Sequence, residues 1–267
     1  MRAFIINREV DLRRWTFISK NVDSVEGLVT ERIDAVDGFK ASFDAAAFAT
    51  ANCKPALKTP ETLQKKANAA CFLSHVMAWQ KIYDAPEPYG LILEDDVFLS
   101  DSFLAIDDDL ARFGDFDLVY VNQAMVMRRS MFQSDLEEEL FVSVDENYNF
   151  IRTEFPVESG FVRDKAGGKM EAPGGYGYIL SKSGALKLLQ NFEVDARPVE
   201  LDSYVYFKAL SDNTLSAVDN TRNIAHMKRA FKHNYEALNA FIYKTSLVRH
   251  KASAVGGSVR VAKPKVV

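Results

Sequence analysis

The sequence predicts an α/β fold with a mainly parallel central sheet, and three observations carry that expectation. Short apolar runs that read as buried strands recur along the chain, at Arg2–Asn7 (RAFIIN), Tyr89–Leu93 (YGLIL) and Asp117–Asn122 (DLVYVN). Between them lie segments with helical spacing of apolar residues, of which Glu61–Asp84 is the longest. Strand and helix alternate, as in sheets flanked by helices. With no internal repeat and no low-complexity linker before residue 252, one domain with a tail is the economical reading of 267 residues.

Taken in order, Arg2–Asn7 forms the first strand, and Asp11 is placed to cap a helix running through Ile18. Leu28–Ile33 forms a second strand, ending in the polar turn Asp34–Gly38. Residues 41–60 are Ala-rich and broken by Pro55 and Pro60. In the long helix Cys71, His75, Met77, Trp79 and Ile82 recur at spacings of two to four, with Trp79 expected in the core and Cys71 as a small packed hydrophobe. Pro86 and Pro88 stop that helix. The strand Tyr89–Leu93 then runs straight into Glu94-Asp95-Asp96, and a further helix follows Asp101, presenting Asp107-Asp108-Asp109 on an exposed face. After Asp117–Asn122 the stretch 124–172 is irregular, with edge strands near Phe141–Val144 and Tyr148–Thr153. The turn Pro173-Gly174-Gly175 leads into a strand Tyr176–Leu180, and Ser181 caps a helix to Asn191. A helix Val199–Leu210 and a short strand Leu215–Val218 complete the body.

Composition is ordinary for a globular domain, and no apolar run approaches the roughly 18 residues of a membrane span. Met1–Asn7 is too short for a signal-peptide core, and the two cysteines, Cys53 and Cys71, give neither a disulfide framework nor a metal spacing. A reducing, cytoplasmic setting is expected. The net charge of −4 conceals a division: residues 221–267 hold ten Lys or Arg against the single acid Glu236, leaving 23 basic and 36 acidic residues in 1–220. The expected organisation is an acidic catalytic body, 1–220, and a basic tail, 221–267, partly helical or disordered. That tail would meet an anionic surface, each Lys or Arg near anionic lipid contributing about 1 kcal/mol. The plain alternative is a solvated terminus. No nucleic-acid module accompanies it, so no nucleic acid is expected as partner.

The acidic triplet carries the chemistry. A strand delivers three adjacent acids at its carboxyl end, where open α/β sheets place ligands. Neighbouring like charges repel, which suggests a compensating cation. Alternation along an extended segment would turn Glu94 and Asp96 to one side and Asp95 to the other. Such a pair of oxygens suits Mn²⁺ or Mg²⁺ shared with substrate phosphates. Without other residues, the same triplet reads equally as a solvated turn.

Ala70-Cys71-Phe72-Leu73-Ser74-His75, then Trp79, lies about twenty residues before the triplet, and the combination CFLSH…W…YGLILEDDV resembles the signature of glycosyltransferase family 25. FIINREVDLRRW, RIDAVDG at Arg32–Gly38 and GGYGYILSKSGALKLL at Gly174–Leu189 resemble further stretches of that family in the same order, over about residues 3–210. The chain departs from it at Asn68-Ala69-Ala70, where many members place Gly before the Cys, and at Glu200 and Asp202, where one acid is usual. The resemblance implies a GT-A-type nucleotide-sugar-binding fold and inverting transfer of a hexose, most often galactose from UDP-galactose. The acceptor would be a saccharide or glycolipid such as the oligosaccharide of lipooligosaccharide, at the inner face of the cytoplasmic membrane.

Inverting transfer is a single displacement that needs a base for the acceptor hydroxyl and a stabiliser for the leaving nucleotide. Asp202 and Glu200 are the candidate bases, near the start of a helix that in GT-A folds borders the acceptor; the plain alternative is that they favour the positive end of the helix. Asp96 and Glu94 would hold the metal, with His226 completing the shell as a late His does in GT-A enzymes. Asn7, Arg8 and Arg14 would meet uracil and phosphate; His75, Glu94 and Asp95 would also face the donor. Gly174 and Gly175 would let the backbone approach the sugar, with Tyr176 and Tyr178 as stacking faces. Two rival readings are a catalytically inactive glycan-binding or scaffolding protein on the same fold, and a metal-dependent nucleotidyltransferase.

Overall fold

Along the first strand, β1 (Arg2–Asn7), Phe4 and Ile6 enter one apolar cluster while Ala3 and Ile5 enter another. This two-residue period sets the layering of the whole molecule. The structure is a computed structural model that describes residues 1–40, 42–45, 47–48, 63–122, 141–144, 157–158, 161–163, 169–170, 174–195, 198, 200–211, 236–243 and 247–250. After β1 come α1 (Leu12–Val22), β2 (Val29–Asp34), α2 (Leu63–Asp84), β3 (Tyr89–Glu94) and β4 (Val97–Leu99). A 3₁₀ turn (Asp101–Ala105), α3 (Ile106–Phe113), β5 (Leu118–Tyr120) and β6 (Phe141–Ser143) follow. Three short strands, β7 (Val157–Glu158), β8 (Phe161–Arg163) and β9 (Lys169–Met170), pair with one another. Then come β10 (Gly177–Ser181), α4 (Lys182–Asp195), α5 (Leu201–Lys208), β11 (Ala240–Tyr243) and β12 (Val248–His250).

The central sheet has the order β2-β1-β3-β10-β5-β11-β6. The pairings give β2, β1, β3, β5 and β11 one direction, with β10 and β6 running against them. The expected mainly parallel sheet flanked by helices is thus present. One face packs on α2, α4 and α5 through Phe72, Trp79, Leu188, Phe192 and Tyr204. The other packs on α1 and α3 through Ile18, Val22, Ile106 and Leu110. Apolar burial on both faces, at roughly 25 cal/mol per Å², is the main force holding the layers.

Local chemistry explains several element ends. Ser181 Oγ accepts the Gly184 N–H at 3.0 Å and caps α4 as expected. Gly184 lies so close to the Asp117 carbonyl that a Cβ would come within 2.2 Å of it, so only glycine lets α4 dock there. Asp11 stands at the head of α1 but makes no side-chain cap; its carboxylate takes the Arg8 Nε–H at 2.7 Å instead. A nearby guanidinium outcompetes the neutral amide donors. Asp109 corrects the expectation of an exposed acidic face on α3. It is buried and accepts the Tyr243 hydroxyl at 2.6 Å, while Asp108 is exposed.

The tail expected from residue 221 is corrected in its middle portion. Ala240–Tyr243 pairs with β5 and β6 inside the central sheet, and Val248–His250 pairs with β4. Asp117 fastens this segment, accepting the Asn239 N–H at 2.8 Å and the Lys187 ammonium at 2.7 Å. Charge composition hid strands whose inward residues, Ala240, Ile242 and Tyr243, are apolar. The strands expected at Tyr148–Thr153 and Leu215–Val218 lie outside the described residues. Among the described residues, no helix is long and apolar enough to cross a membrane.

Candidate active site

Strands β1, β2 and β3 are in register and end together, with Asn7 opposite Asp34 and Ile6 opposite Glu94. Beyond these carboxyl ends opens a cleft of about 350 Å³. Arg8 lines it from the turn after β1, Arg14 from the first turn of α1, Val36 and Phe39 from the turn after β2, and Cys71 and His75 from α2. Glu94, Asp95, Asp96 and Glu200 supply acids. Cationic, apolar and acidic side chains therefore line one cleft.

The triplet does not alternate as an extended strand would. Glu94 is the last residue of β3, and the chain turns at Asp95-Asp96 before β4. Asp95 and Asp96 consequently both lie against Arg14, at 2.8 Å and 3.4 Å, while Glu94 approaches His75 Nε2 at 3.6 Å. A turn replaces the expected strand alternation, and all three acids line the cleft. Asp95 is buried, and its Oδ2 also accepts Asn7 Nδ2 at 2.6 Å. Burial pushes the Asp95 carboxyl up despite the hydrogen bonds from Asn7 and Arg14. Asn7 itself stands behind the cleft, buried, donating to Asp95 and accepting Arg32 Nη2 at 2.7 Å. Its amide braces the triplet and is not on the cleft wall. Arg8 is on the wall, ion-paired to Asp11 and Asp37.

His75 has no exposed surface. Its Nδ1 is 2.9 Å from the Tyr178 hydroxyl, which also accepts the Trp79 indole N–H at 2.8 Å. Tyr178 is thus a buried hub between β10 and α2, which corrects its expected role as a stacking face; Trp79 is core as expected. Burial lowers the His75 pKa to about 3 against the opposing charge of Asp202. The ring is neutral at physiological pH, so its approach to Glu94 is not an ion pair. Cys71, one turn earlier, is exposed on the cleft wall and not packed as expected. Its thiol is recessed enough that burial, then Glu94, Asp202 and Asp96, push its pKa well up.

Asp202 and Glu200 separate in space. Glu200 is exposed at the head of α5 and lines the cleft; Asp202 is half-buried in the first turn, beside it. The Gly175 N–H donates to Asp202 Oδ1 at 2.6 Å. Burial and then the charge of Glu94 raise the Asp202 carboxyl to about 6, against the pull of that hydrogen bond. Gly175 has no room for a side chain: a Cβ there would meet Leu201 Cδ2 at 2.6 Å and Asp202 Oδ1 at 2.8 Å. The Gly174 carbonyl accepts Asn122 Nδ2 at 2.7 Å, and the same nitrogen reaches the Gly177 carbonyl at 2.6 Å. Tyr176 is partly buried beside these residues. His226 lies outside the described residues. Sequence reasoning missed Asn122 and the Tyr178 hub. The only signal for Asn122 was its place as the polar end of an apolar strand.

The fold and the cleft define an α/β domain that gathers its ligand-facing residues at the carboxyl ends of its parallel strands. The family model described as glycosyltransferase family 25 (LPS biosynthesis protein) matches residues 1–205, and the chain belongs to that family. It is 28% identical over 211 residues to a glycosyltransferase 25 family member of Aedes aegypti, covering 76% of this chain and 30% of that protein. It is 29% identical over 145 residues to the lacto-N-neotetraose biosynthesis glycosyltransferase LgtE of Neisseria gonorrhoeae, covering 52% of this chain and 45% of the relative. The chain therefore spans less than half the length of these relatives. Among solved structures, the galactosyltransferase LgtC with donor and acceptor sugar analogues aligns over 91% of this chain and 73% of its own, at 10% identity and a TM-score of 0.38.

Proposed function

We propose that the chain is an inverting glycosyltransferase with a GT-A-type domain, transferring a hexose, galactose from UDP-galactose, to a saccharide acceptor such as the oligosaccharide of lipooligosaccharide. One observation carries the reading: at the strand ends Arg8, Arg14 and Phe39 line one cleft together with Glu94, Asp95 and Asp96, and Asp202, near Glu94, is oriented by the Gly175 N–H. Family membership supports the reaction class, and the relatives' names support the nature of the acceptor.

Asp202 is the base in this proposal. A carboxylate whose pKa sits near 6 is charged at neutral pH yet basic enough to take a proton from an acceptor hydroxyl. The Gly175 N–H holds it in one orientation. Glu200, exposed on the cleft wall, is the second candidate and would meet the acceptor sugar. Arg8 and Arg14 would receive the donor's phosphates, and Phe39 with Val36 the base. A divalent cation, Mn²⁺ or Mg²⁺, fits the acids present. Glu94, Asp95 and Asp96 crowd the strand end, and beside them burial, then the charge of Glu94, raises the Asp202 carboxyl. Asp96 and Glu94 would hold the cation through oxygens, with His226 as the proposed further ligand. When bound, it would neutralise the leaving diphosphate.

The acceptor's lipid end is proposed to lie at an anionic membrane surface on the cytoplasmic side. The basic residues of 221–267 outside β11 and β12 would make that contact. The test of the reaction class is calorimetry with a panel of UDP-sugars, with and without Mn²⁺, alongside slow donor hydrolysis. Metal-dependent binding of UDP-galactose beyond that of UDP is expected. Failure to bind any nucleotide sugar would replace the enzyme reading with that of a glycan-binding protein.

A further inference from the structure

We propose that Cys71, His75 and Glu94 form a binding site for a thiophilic divalent cation of the Zn²⁺ class, and that its occupation blocks the cleft. The inhibitory half rests on the role given above to Glu94; the binding half stands on geometry alone. Cys71 and His75 are four residues apart on α2 and so share one face of the helix. Glu94 comes to that face from the end of β3. The thiol sulfur, an imidazole nitrogen and a carboxylate oxygen all lie within 4.8 Å of one another, the one such group of three among the described residues.

His75 supplies the second, independent observation. Its ring has no exposed surface, and its Nε2 is buried with no hydrogen-bond partner. The ring cannot turn to find one. Nδ1 is held at 2.9 Å by the Tyr178 hydroxyl, and the two rings stack at 5.9 Å with 15° between their planes. Nε2 is therefore fixed in its aim at Glu94 Oε1, 3.6 Å away. That separation is too long for a hydrogen bond. It is close to the roughly 3.3 Å between a nitrogen and an oxygen that share a tetrahedral ion at about 2.0–2.1 Å from each.

The donor set selects the ion. One sulfur, one imidazole nitrogen and one carboxylate suit Zn²⁺ and its soft relatives, whereas Mg²⁺ and Mn²⁺ prefer oxygen. The support behind the ligands is of the kind such sites use. With Nδ1–H donating to Tyr178 Oη, Nε2 presents its lone pair to the ion. The phenol oxygen takes the Trp79 N–H on its other lone pair. As the sulfur–metal bond forms, the Cys71 thiol proton leaves to solvent. Three protein ligands leave a fourth position open, on the cleft side where Cys71 and Glu94 both line the wall. An ion seated there engages the Glu94 carboxylate and fills the space beside Asp202.

Co²⁺ is the probe, because a cobalt–thiolate bond gives a charge-transfer absorption that oxygen and nitrogen ligands do not. The full chain is titrated as wild type, Cys53→Ser and Cys71→Ser, with circular dichroism establishing that all three fold alike. Expected is a band saturating at one equivalent in wild type and C53S, absent in C71S, and abolished by one equivalent of Zn²⁺. An unchanged band in C71S, or no band in wild type, overturns the site. Zn²⁺ should also inhibit transfer at concentrations at least tenfold lower in wild type than in C71S. Equal inhibition of both overturns the inhibitory role. UDP-galactose calorimetry on the same samples keeps the two readings apart: a cobalt band without donor binding upholds the metal site and removes its link to transfer.

Discussion

The Gly175 backbone N–H donates to Asp202 Oδ1 at 2.6 Å, and so orients a carboxylate that its surroundings push towards the neutral form. Asp202 is raised to about 6 from 3.8, so the folded protein binds more protons than the unfolded chain between those values. Its charge therefore lowers stability above pH 6, and the cost is relieved as pH falls towards 3.8. Asp202→Asn keeps an oxygen for the Gly175 N–H and removes the charge. Transfer should fall by about 10²–10⁴-fold, the contribution of a general base. Stability at pH 7.5 should rise. The full shift corresponds to about 3 kcal/mol, and partial exposure reduces this to on the order of 1–2 kcal/mol. Thermal melts at pH 7.5 and pH 4.5 test this, since the gain should shrink to about a third at the lower pH. A variant that loses activity and stability together would make Asp202 a structural acid.

The pH dependence of kcat/KM follows from the same carboxyl. An acid limb should fall away below about pH 6 as Asp202 takes up its proton. Glu200→Gln should leave the midpoint of that limb in place and change KM for the acceptor, because Glu200 lies on the cleft wall. If E200Q abolishes the limb and D202N keeps it, the base is Glu200.

Gly175 is constrained by space. A methyl group there would sit 2.8 Å from Asp202 Oδ1 and 2.6 Å from Leu201 Cδ2, so the turn or α5 must shift. Displacements of about 1 Å at a reacting centre cost up to about 10²-fold. Gly175→Ala should accordingly reduce kcat by 10-fold or more, with donor binding by calorimetry nearly unchanged. A fall in donor affinity with kcat intact would mean that Gly175 contacts the donor itself.

Much of the fold was legible because it rests on short-range pattern. Arg2–Asn7, Tyr89–Leu93 and the Ser181-capped helix are visible as runs and caps, and the structure forms them within a residue or a few of their expected ends. What stayed hidden depends on pairing between distant segments. Ala240–Tyr243 is four residues long, lies in a basic stretch, and becomes a strand only by adding to β5. The triplet was legible as a site, but its geometry was not. Alternation holds only while a strand stays extended, and the turn at Asp95-Asp96 brings two of the acids to Arg14. Tyr178 looked like a ligand platform because an aromatic next to glycines carries no mark of which face of a strand it occupies. The β10–β3 register places Tyr178 opposite Ile92, whose side chain faces the α2 layer.

His75 makes an opposite pH prediction to that of Asp202. Its folded pKa of about 3 lies below the reference 6.5, so its contribution is complete above pH 6.5 and is lost as pH falls through that window towards 3. Between pH 6.5 and 6 it acts ahead of the Asp202 effect. Tm should begin to decline there, before the range in which ordinary carboxylates titrate, and His75→Gln should flatten that early decline. Tyr178→Phe removes the shared partner of His75 Nδ1 and Trp79 Nε1. Stranding those two buried groups should cost about 2–4 kcal/mol. Denaturant midpoints at pH 7.5 measure it; a loss below 1 kcal/mol would mean that water replaces the hydroxyl.

Asp96 separates fold from chemistry. Its side chain is 6% exposed and 3.4 Å from Arg14, but Arg14 keeps its shorter contact to Asp95 at 2.8 Å when Asp96 is removed. Asp96→Ala should therefore unfold at a temperature within a few degrees of wild type. If the hard cation is held by Asp96 and Glu94, the same variant should lose transfer by at least about 10²-fold and no longer respond to added Mn²⁺, as wild type should behave after EDTA. Returning Mn²⁺ should restore the stripped wild type but not D96A. The Mn²⁺ titration curve of wild type, followed by water-proton relaxation, gives an affinity that does not depend on turnover. An unchanged affinity in D96A would move the cation to other acids, and wild-type transfer in D96A would remove the metal from this reaction altogether.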